Sequence, residues 1–187
     1  EGDIVLLYIG RVVPKKGLHL LIEGLRNIRD HLHKDSLIRL AIVGDGPGDY
    51  VRKCRAAAKQ LPTNIKTEWT GPIWDDAKWD YYEAADLFCL PSYSENFGIT
   101  VLEAASTGTK VLVSSATPWK DIDYEDFGIV VEPTVESITR GLESFLAEYK
   151  FDPLARRRRA QWTKSRFSWP TIARKYEAAY LEVLSRR

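Results

Sequence analysis

The sequence has little of what marks several functional classes. Its two cysteines, Cys54 and Cys89, are too few for a disulfide framework, and no Cys/His cluster has metal-ligand spacing. A reducing, cytoplasmic setting is therefore expected. Charge of one sign is not in excess: 27 basic residues face 26 acidic ones, for a formal net charge of +1. That argues against a dedicated nucleic-acid binder, which concentrates basic residues on one face. No apolar run approaches the ~20 residues of a membrane-spanning helix, and no leader-peptide pattern opens the chain. The chain begins at Glu1 without methionine and reaches the strand-like IVLLYIG within three residues, so it reads as a piece of something longer. What is present is ordinary globular material, 44% hydrophobic and 28% charged over 187 residues. That suits one domain with an appended element.

Apolar runs alternate with helical patterns. IVLLYIG, IRLAIVG, IKTEWTG, DLFCLPS, KVLVSS and FGIVVEP read as strands. Between them lie helical stretches: Leu18 to Leu32, about Tyr50 to Leu61, DDAKWDYYEAA, GITVLEAASTG and SITRGLESFLAEY. Repetition of this kind implies an α/β fold, a doubly wound parallel sheet with helices on both faces and right-handed crossovers. From Asp152 onward there is no strand signal. The tail reads as two helices broken near Ser168-Trp169-Pro170, because proline disfavours helix in its predecessor and cannot donate within one. Residues 1–151 are thus expected to form the sheet domain, and 152–187 a helical extension.

In parallel sheets ligands bind where strands end and helices begin. GRVVPKKG places Gly10 at a strand end, Arg11 directly after it, and Lys15 and Lys16 before a helix. Such cations suit a diphosphate, although a solvated surface loop would look the same. The spacing is not that of a Walker A loop. VGDGPGD offers Gly44 and Asp45 as either a site or a tight turn, and TGPI leads to Ile73. SENFGITVLEAASTG is the most informative stretch. Gly98 permits close approach of a ligand to the backbone, and the N–H groups of Ile99 and Thr100 would open a helix toward an anion. Glu95 lies just upstream. Glu103 sits about a turn and a half inside, among Val101, Leu102, Ala104 and Ala105, where a carboxylate needs partners. A ribose diol is one candidate partner; an exposed helical face is the alternative.

The order GR-x4-KG, VGDGP, TG, and E-x7-E around NFG with LEAxxxG behind it resembles the retaining GT-B glycosyltransferases of family 4, specifically their C-terminal, nucleotide-sugar-binding Rossmann-like domain. The resemblance spans nearly the whole chain. It implies that Arg11 and Lys16 neutralise the donor diphosphate and the leaving group, that Glu95 contacts hydroxyls of the transferred sugar, and that Glu103 holds the ribose. It places backbone groups from Asn96 and Phe97 to Thr100 on sugar and phosphates, and Gly10, Gly44, Asp45 and Ile73 around the diphosphate and base. It further implies sugar transfer from a nucleoside diphosphate sugar to an acceptor hydroxyl, in surface polysaccharide or glycolipid synthesis. No cofactor and no metal are implied, and an N-terminal acceptor domain, absent from this chain, would complete the enzyme. The closing helices resemble those that return toward that domain. The PWKDIDYEDFGIVVEP segment departs from the commoner G-x-P-E-x-I, which bears on the base-proximal loop.

Two other classes compete. A non-catalytic nucleotide-sugar-binding regulatory module would have no need of both Arg11/Lys16 and the two glutamates. A dehydrogenase-like binder would need a complete GxGxxG after the first strand, and GRVVPKKG contains none. Asp75, Asp76 and Asp45 read as isolated acids of caps and turns rather than a metal pair. The run Arg156–Arg159 reads as a solvated helical face, with peripheral contact to acidic lipid at the inner membrane face as its alternative. Trp74 and Trp119 are candidates to line the base or sugar pocket.

Overall fold

The computed structural model describes residues 2–29, 37–120 and 127–185. Among the described residues six strands form one parallel sheet: β1 (Ile4–Ile9), β2 (Ile38–Val43), β3 (Ile65–Gly71), β4 (Leu87–Leu90), β5 (Lys110–Ser114) and β6 (Gly128–Val131). Their spatial order is β3-β2-β1-β4-β5-β6, the order of a Rossmann-like doubly wound sheet. The central strands are apolar throughout because both faces of the sheet are covered. Leu6, Leu7 and Tyr8 of β1 and all four residues of β4 have no exposed surface. β1 and β4 pair through Leu6 with Leu87 and Leu7 with Phe88. Successive strands are added outward in opposite directions from this pair, so a crevice opens at their carboxyl ends.

Helices α1 (Leu18–Arg26), α2 (Gly48–Ala58) and α5 (Val135–Glu148) pack as one layer; α3 (Lys78–Ala84), α4 (Ile99–Ser106) and α6 (Pro153–Phe167) form the other. α1 follows the expected stripe to Arg26, and the rest of the stretch expected to be helical runs into residues outside those described. α2 starts two residues earlier than the periodicity suggests, because Pro47 at its N-cap holds φ at −55° and starts the helix there. α5 also starts early: the Thr134 hydroxyl accepts from the Ser137 N–H at 3.3 Å and caps it.

The tail breaks where expected, with α6 ending at Phe167 and α7 (Trp169–Ser185) following. The Asp152 carboxylate caps α6 by accepting from the N–H groups of Leu154 and Ala155. The arginine run departs from the expected solvated face. Arg156 is half-buried and donates to the carbonyls of Thr107, Ala85 and Tyr82 and to the Thr109 hydroxyl, at 2.9–3.1 Å. Arg159 donates to the Gly108 carbonyl at 2.8 Å. At positions i and i+3 these two share a helical face and clamp α6 onto the turn after α4, while Arg157 and Arg158 are exposed. α7 has no buried residue; Trp169, Tyr176, Tyr180, Leu181 and Leu184 are all exposed.

Candidate functional site

The loops leaving β1 and β4 meet across the crevice. After β1 the chain passes Arg11 into a 3-10 turn, Pro14–Lys16, that ends at Gly17 with φ +72°. A Cβ at Gly17 would lie 2.2 Å from the Pro91 carbonyl oxygen, so only glycine lets the two loops approach this closely. The Tyr93 N–H then donates to the Lys15 carbonyl at 2.9 Å and fixes the loops together. Side chains follow the backbone: the Lys16 ammonium lies 2.5 Å from Glu95 Oε1, and the Ser92 hydroxyl donates to the same oxygen at 2.7 Å. Both ends of the pair are largely shielded, with 19% and 9% of the side chains exposed.

After Glu95 the chain turns through Gly98, in the left-handed region at φ +79°, and enters α4 without a side-chain cap. The first turn of α4 therefore presents its N–H groups to the crevice. Trp119 supports this turn from beneath. It is 6% exposed, donates its indole N–H to the Phe97 carbonyl, and packs its ring against Phe97 and Phe167 at 5.1 and 5.4 Å.

These groups border a cavity of 310 Å³. It is lined by Arg11, Lys16, Glu95 and Asn96, by Phe97, Gly98, Ile99 and Thr100 at the start of α4, and by Val13 and Lys15. Three cations thus face one carboxylate beside a helix N-terminus, an environment built for an anion with hydroxyls attached. Its size is at the lower end of small-molecule pockets, ~300 to 1,000 Å³.

The remaining candidate residues lie outside this cavity. Gly10 and Gly44 are side by side at the ends of β1 and β2, where a Cβ on Gly44 would meet the Gly10 carbonyl oxygen at 1.9 Å. Asp45 holds the turn: its carbonyl accepts from Val12 N–H at 2.9 Å and its carboxylate from Gly46 N–H at 2.8 Å. Ile73 is half-buried in the loop before α3, where the Asp75 carboxylate accepts from Ala77 N–H. Glu103 is bound on both oxygens, to Lys78 Nζ at 2.6 Å and to the Tyr82 hydroxyl at 2.8 Å. It lines a second, mainly apolar groove of 690 Å³ between α4 and the α6–α7 elbow. The two cavities share Phe97 and Ile99 as a common wall. Neither Trp74, which is 91% exposed, nor Trp119 lines either one. Trp119 acts as a buried prop because its N–H is spent on the backbone.

Lys78 and Tyr82 did not stand out in the sequence. Both sit on α3 four positions apart, on one helical face, and only the fold brings that face to Glu103. Among the described residues no group of three or more His, Cys, Asp or Glu is placed to hold a metal ion. No described helix is long and apolar enough to cross a membrane.

Comparison with known proteins gives the family. The model for glycosyl transferases group 1 matches residues 1–165. This chain belongs to that family. An uncharacterized glycosyltransferase of Methanocaldococcus jannaschii is 29% identical over 183 residues, covering 96% of this chain and 45% of that protein. The lipopolysaccharide 1,2-N-acetylglucosaminetransferase of Salmonella typhimurium is 29% identical over 190 residues, covering 95% and 48%. The chain therefore spans just under half the length of these family members. Among solved structures, Anabaena HepE in complex with UDP and glucose superposes with a TM-score of 0.76 at 19% identity, over 100% of this chain and 49% of that one. The shared fold is the Rossmann-like half of a GT-B glycosyltransferase.

Proposed function

We propose that this chain is the donor-binding domain of a retaining family 4 glycosyltransferase, which moves a sugar from a nucleoside diphosphate sugar to an acceptor hydroxyl. The observation that carries the reading is the meeting of Lys16 and Glu95 across the β1–β4 crevice, with Arg11 and the α4 N-terminus lining the same cavity. The solved relative from Anabaena holds UDP and glucose, which supports a nucleotide-sugar ligand. The Salmonella relative acts on lipopolysaccharide, which supports a surface glycan or glycolipid as the product class.

The chemical task is to stabilise negative charge that grows on the departing diphosphate. Fixed positive groups in a shielded site do this best, since they need not reorganise as the bond breaks. Arg11 and Lys16 supply full charges, and the N–H groups of Ile99 and Thr100 supply the helix end. Glu95 accepts hydroxyl hydrogen bonds from the transferred sugar, and the departing phosphate oxygen takes the acceptor proton. In this reading no metal takes part, and an N-terminal domain of the same enzyme brings the acceptor and closes over the donor to exclude water. The exposed apolar face of α7 returns to that domain, residues 1–151 bind the donor, and 152–187 form the bridging extension. The exposed Arg157 and Arg158 would give the whole enzyme a peripheral contact with acidic lipid.

Calorimetric titration of this chain with UDP, GDP and ADP, without metal and then with Mg²⁺, tests the reading. Saturable binding of one diphosphate, lost in Arg11→Ala, supports it and names the base. Alone the domain binds its donor weakly and transfers nothing; sugar transfer by this chain would overturn that part.

A further inference from the structure

We propose that Trp119 is a positioning residue for the donor cavity: by holding the peptide unit between Phe97 and Gly98, its indole N–H sets the direction in which the first N–H groups of α4 meet a bound diphosphate. The proposal rests on the donor-binding reading above.

The start of α4 offers backbone groups rather than a charged side chain, so its aim depends on the peptide units that lead into it. Gly98 is the soft point. It sits at φ +79°, and glycine adopts either sign of φ about equally well, so its own chemistry does not hold it there. Two hydrogen bonds do. The Gly98 carbonyl accepts from the Val101 N–H at 2.9 Å, which ties the peptide unit carrying the Ile99 N–H to the helix. The Phe97 carbonyl accepts from the Trp119 indole N–H, which ties the preceding unit to the loop after β5. Only the φ and ψ of Gly98 lie between these two units, so turning either one breaks a bond.

Trp119 is fixed well enough to do this. Its ring is buried between Phe97 and Phe167. Its Nε1 lies 3.1 Å from the place a Cβ on Gly98 would take, so the indole also fills the space another residue would need. The loop that carries it is anchored on β5, where the Thr117 N–H and hydroxyl both donate to the Ser114 carbonyl at 3.1 and 2.8 Å. From the same strand end the buried Ser114 hydroxyl donates to the Ser92 carbonyl. The segment that carries Glu95 is thus held from β5 at both ends, at Ser92 and at Phe97. A ring that only packed would not need a donor, and an indole has a single one. Here it is spent on the peptide unit that aims the helix, so donor groups are set before the ligand arrives and binding need not order them. Trp119 belongs to the PWKD stretch that departs from the commoner G-x-P-E-x-I, so this bond is not among the motifs by which the family is recognised.

The test compares the wild type with Trp119→Phe, which keeps a ring and removes the donor. Calorimetry with UDP, GDP and ADP first identifies the preferred diphosphate of the wild-type chain. Its affinity is expected to fall about fivefold or more in Trp119→Phe, the worth of an ordinary hydrogen bond, at a temperature where both chains are folded. In ¹⁵N–¹H spectra the wild-type Trp119 indole resonance, assigned through its closeness to Gly98, is expected to exchange slowly with water and to shift on saturation with that diphosphate. The amide resonances of Ile99 and Thr100 are expected to shift with it, and clearly less in saturated Trp119→Phe. A merely structural role would lower the stability of Trp119→Phe and leave its affinity and these amide shifts at wild-type values, which overturns the proposal while the donor reading stands. If the wild type binds no diphosphate saturably, both fall. Should Trp119→Phe fail to fold, the wild-type indole resonance decides: free exchange with water, or indifference to the diphosphate, overturns the proposal.

Discussion

Lys16 and Glu95 are 79 positions apart in sequence and 2.5 Å apart in space, one delivered by the loop after β1 and the other by the loop after β4. The contact exists because β1 and β4 are neighbours at the one place where strand order reverses. Neither charge has full access to water, so each depends on the other until a ligand intervenes.

That dependence separates two substitutions. Lys16→Ala removes a charge-assisted bond of about 1.5 to 3 kcal/mol to any bound diphosphate, so nucleoside diphosphate affinity should fall at least tenfold. Glu95→Ala leaves both cations in place, so diphosphate affinity should persist while discrimination among donor sugars is lost. Calorimetry with nucleoside diphosphates and with the corresponding nucleotide sugars reads both effects. Loss of diphosphate binding in Glu95→Ala would contradict the assignment of its carboxylate to the sugar.

Gly17→Ala should be severe. The residue sits at φ +72°, where an L side chain costs about 1 to 2 kcal/mol. The added methyl would also strike the Pro91 carbonyl oxygen at 2.2 Å, so the β1 and β4 loops must part. Urea denaturation is expected to show a loss of about 2 to 4 kcal/mol, with diphosphate binding lost even below the unfolding midpoint. A variant of wild-type stability would mean the loops separate freely.

Much of this architecture was legible beforehand, for identifiable reasons. IVLLYI and LFCL lie at the covered centre of the sheet and so show unbroken apolar runs, IRLAIV is interrupted only by the exposed Arg39, and the helix break falls at Ser168, next to the Trp169-Pro170 pair that marks it. Strand order was not legible, because nothing local to β1 says that its neighbour is β4. The same holds at the site. Arg11, Lys16 and Glu95 stood out through loop position and charge. Lys78 looked like any surface lysine and Tyr82 like any core ring until α3 was laid beside α4. The four arginines from Arg156 to Arg159 are identical in type, and only helical phase and docking separate the clamping pair from the solvated one.

That phase is testable. Arg156→Ala takes the guanidinium donor from the carbonyls of Ala85 and Tyr82 at the end of α3 and from the Thr107 carbonyl and Thr109 hydroxyl at the α4–β5 turn, and is expected to cost about 2 to 4 kcal/mol. Arg157→Ala, one position on and exposed, should fall within about 0.5 kcal/mol of wild type. Thermal or urea unfolding distinguishes them, and equal effects would contradict the clamp.

His19 gives the fold a pH dependence of known sign. Its Nδ1 is 2.7 Å from the Tyr50 hydroxyl and its ring stacks on Tyr93, while burial lowers its pKa below the ordinary value and Glu23 opposes the shift. The folded chain thus binds fewer protons here than the unfolded one, so this contribution is complete above the ordinary histidine value of about 6.5. It fades as pH falls through the lowered folded value. Unfolding free energy should drop between pH 7.5 and 5 in the wild type and drop less in His19→Gln. An identical slope in the two would remove His19 from the account.

α7 makes the last case, because none of its residues is buried against this domain. Intrinsic helicity over 17 residues gives only marginal stability in water, and exposed Trp169, Tyr180, Leu181 and Leu184 would be an unusual surface to leave uncovered. If the face belongs against an N-terminal domain, deleting residues 169–187 should change the unfolding free energy of this chain by less than about 1 kcal/mol, since few contacts are lost. The same deletion in the full-length enzyme should abolish transfer while nucleoside diphosphate binding survives, because the donor cavity keeps every residue that lines it. Urea unfolding of the truncated chain, beside transfer and binding assays on the truncated full-length enzyme, reads the two effects separately. Large destabilisation of the isolated chain would make α7 part of this domain's own core, and undiminished transfer would leave its apolar face without a role in the enzyme.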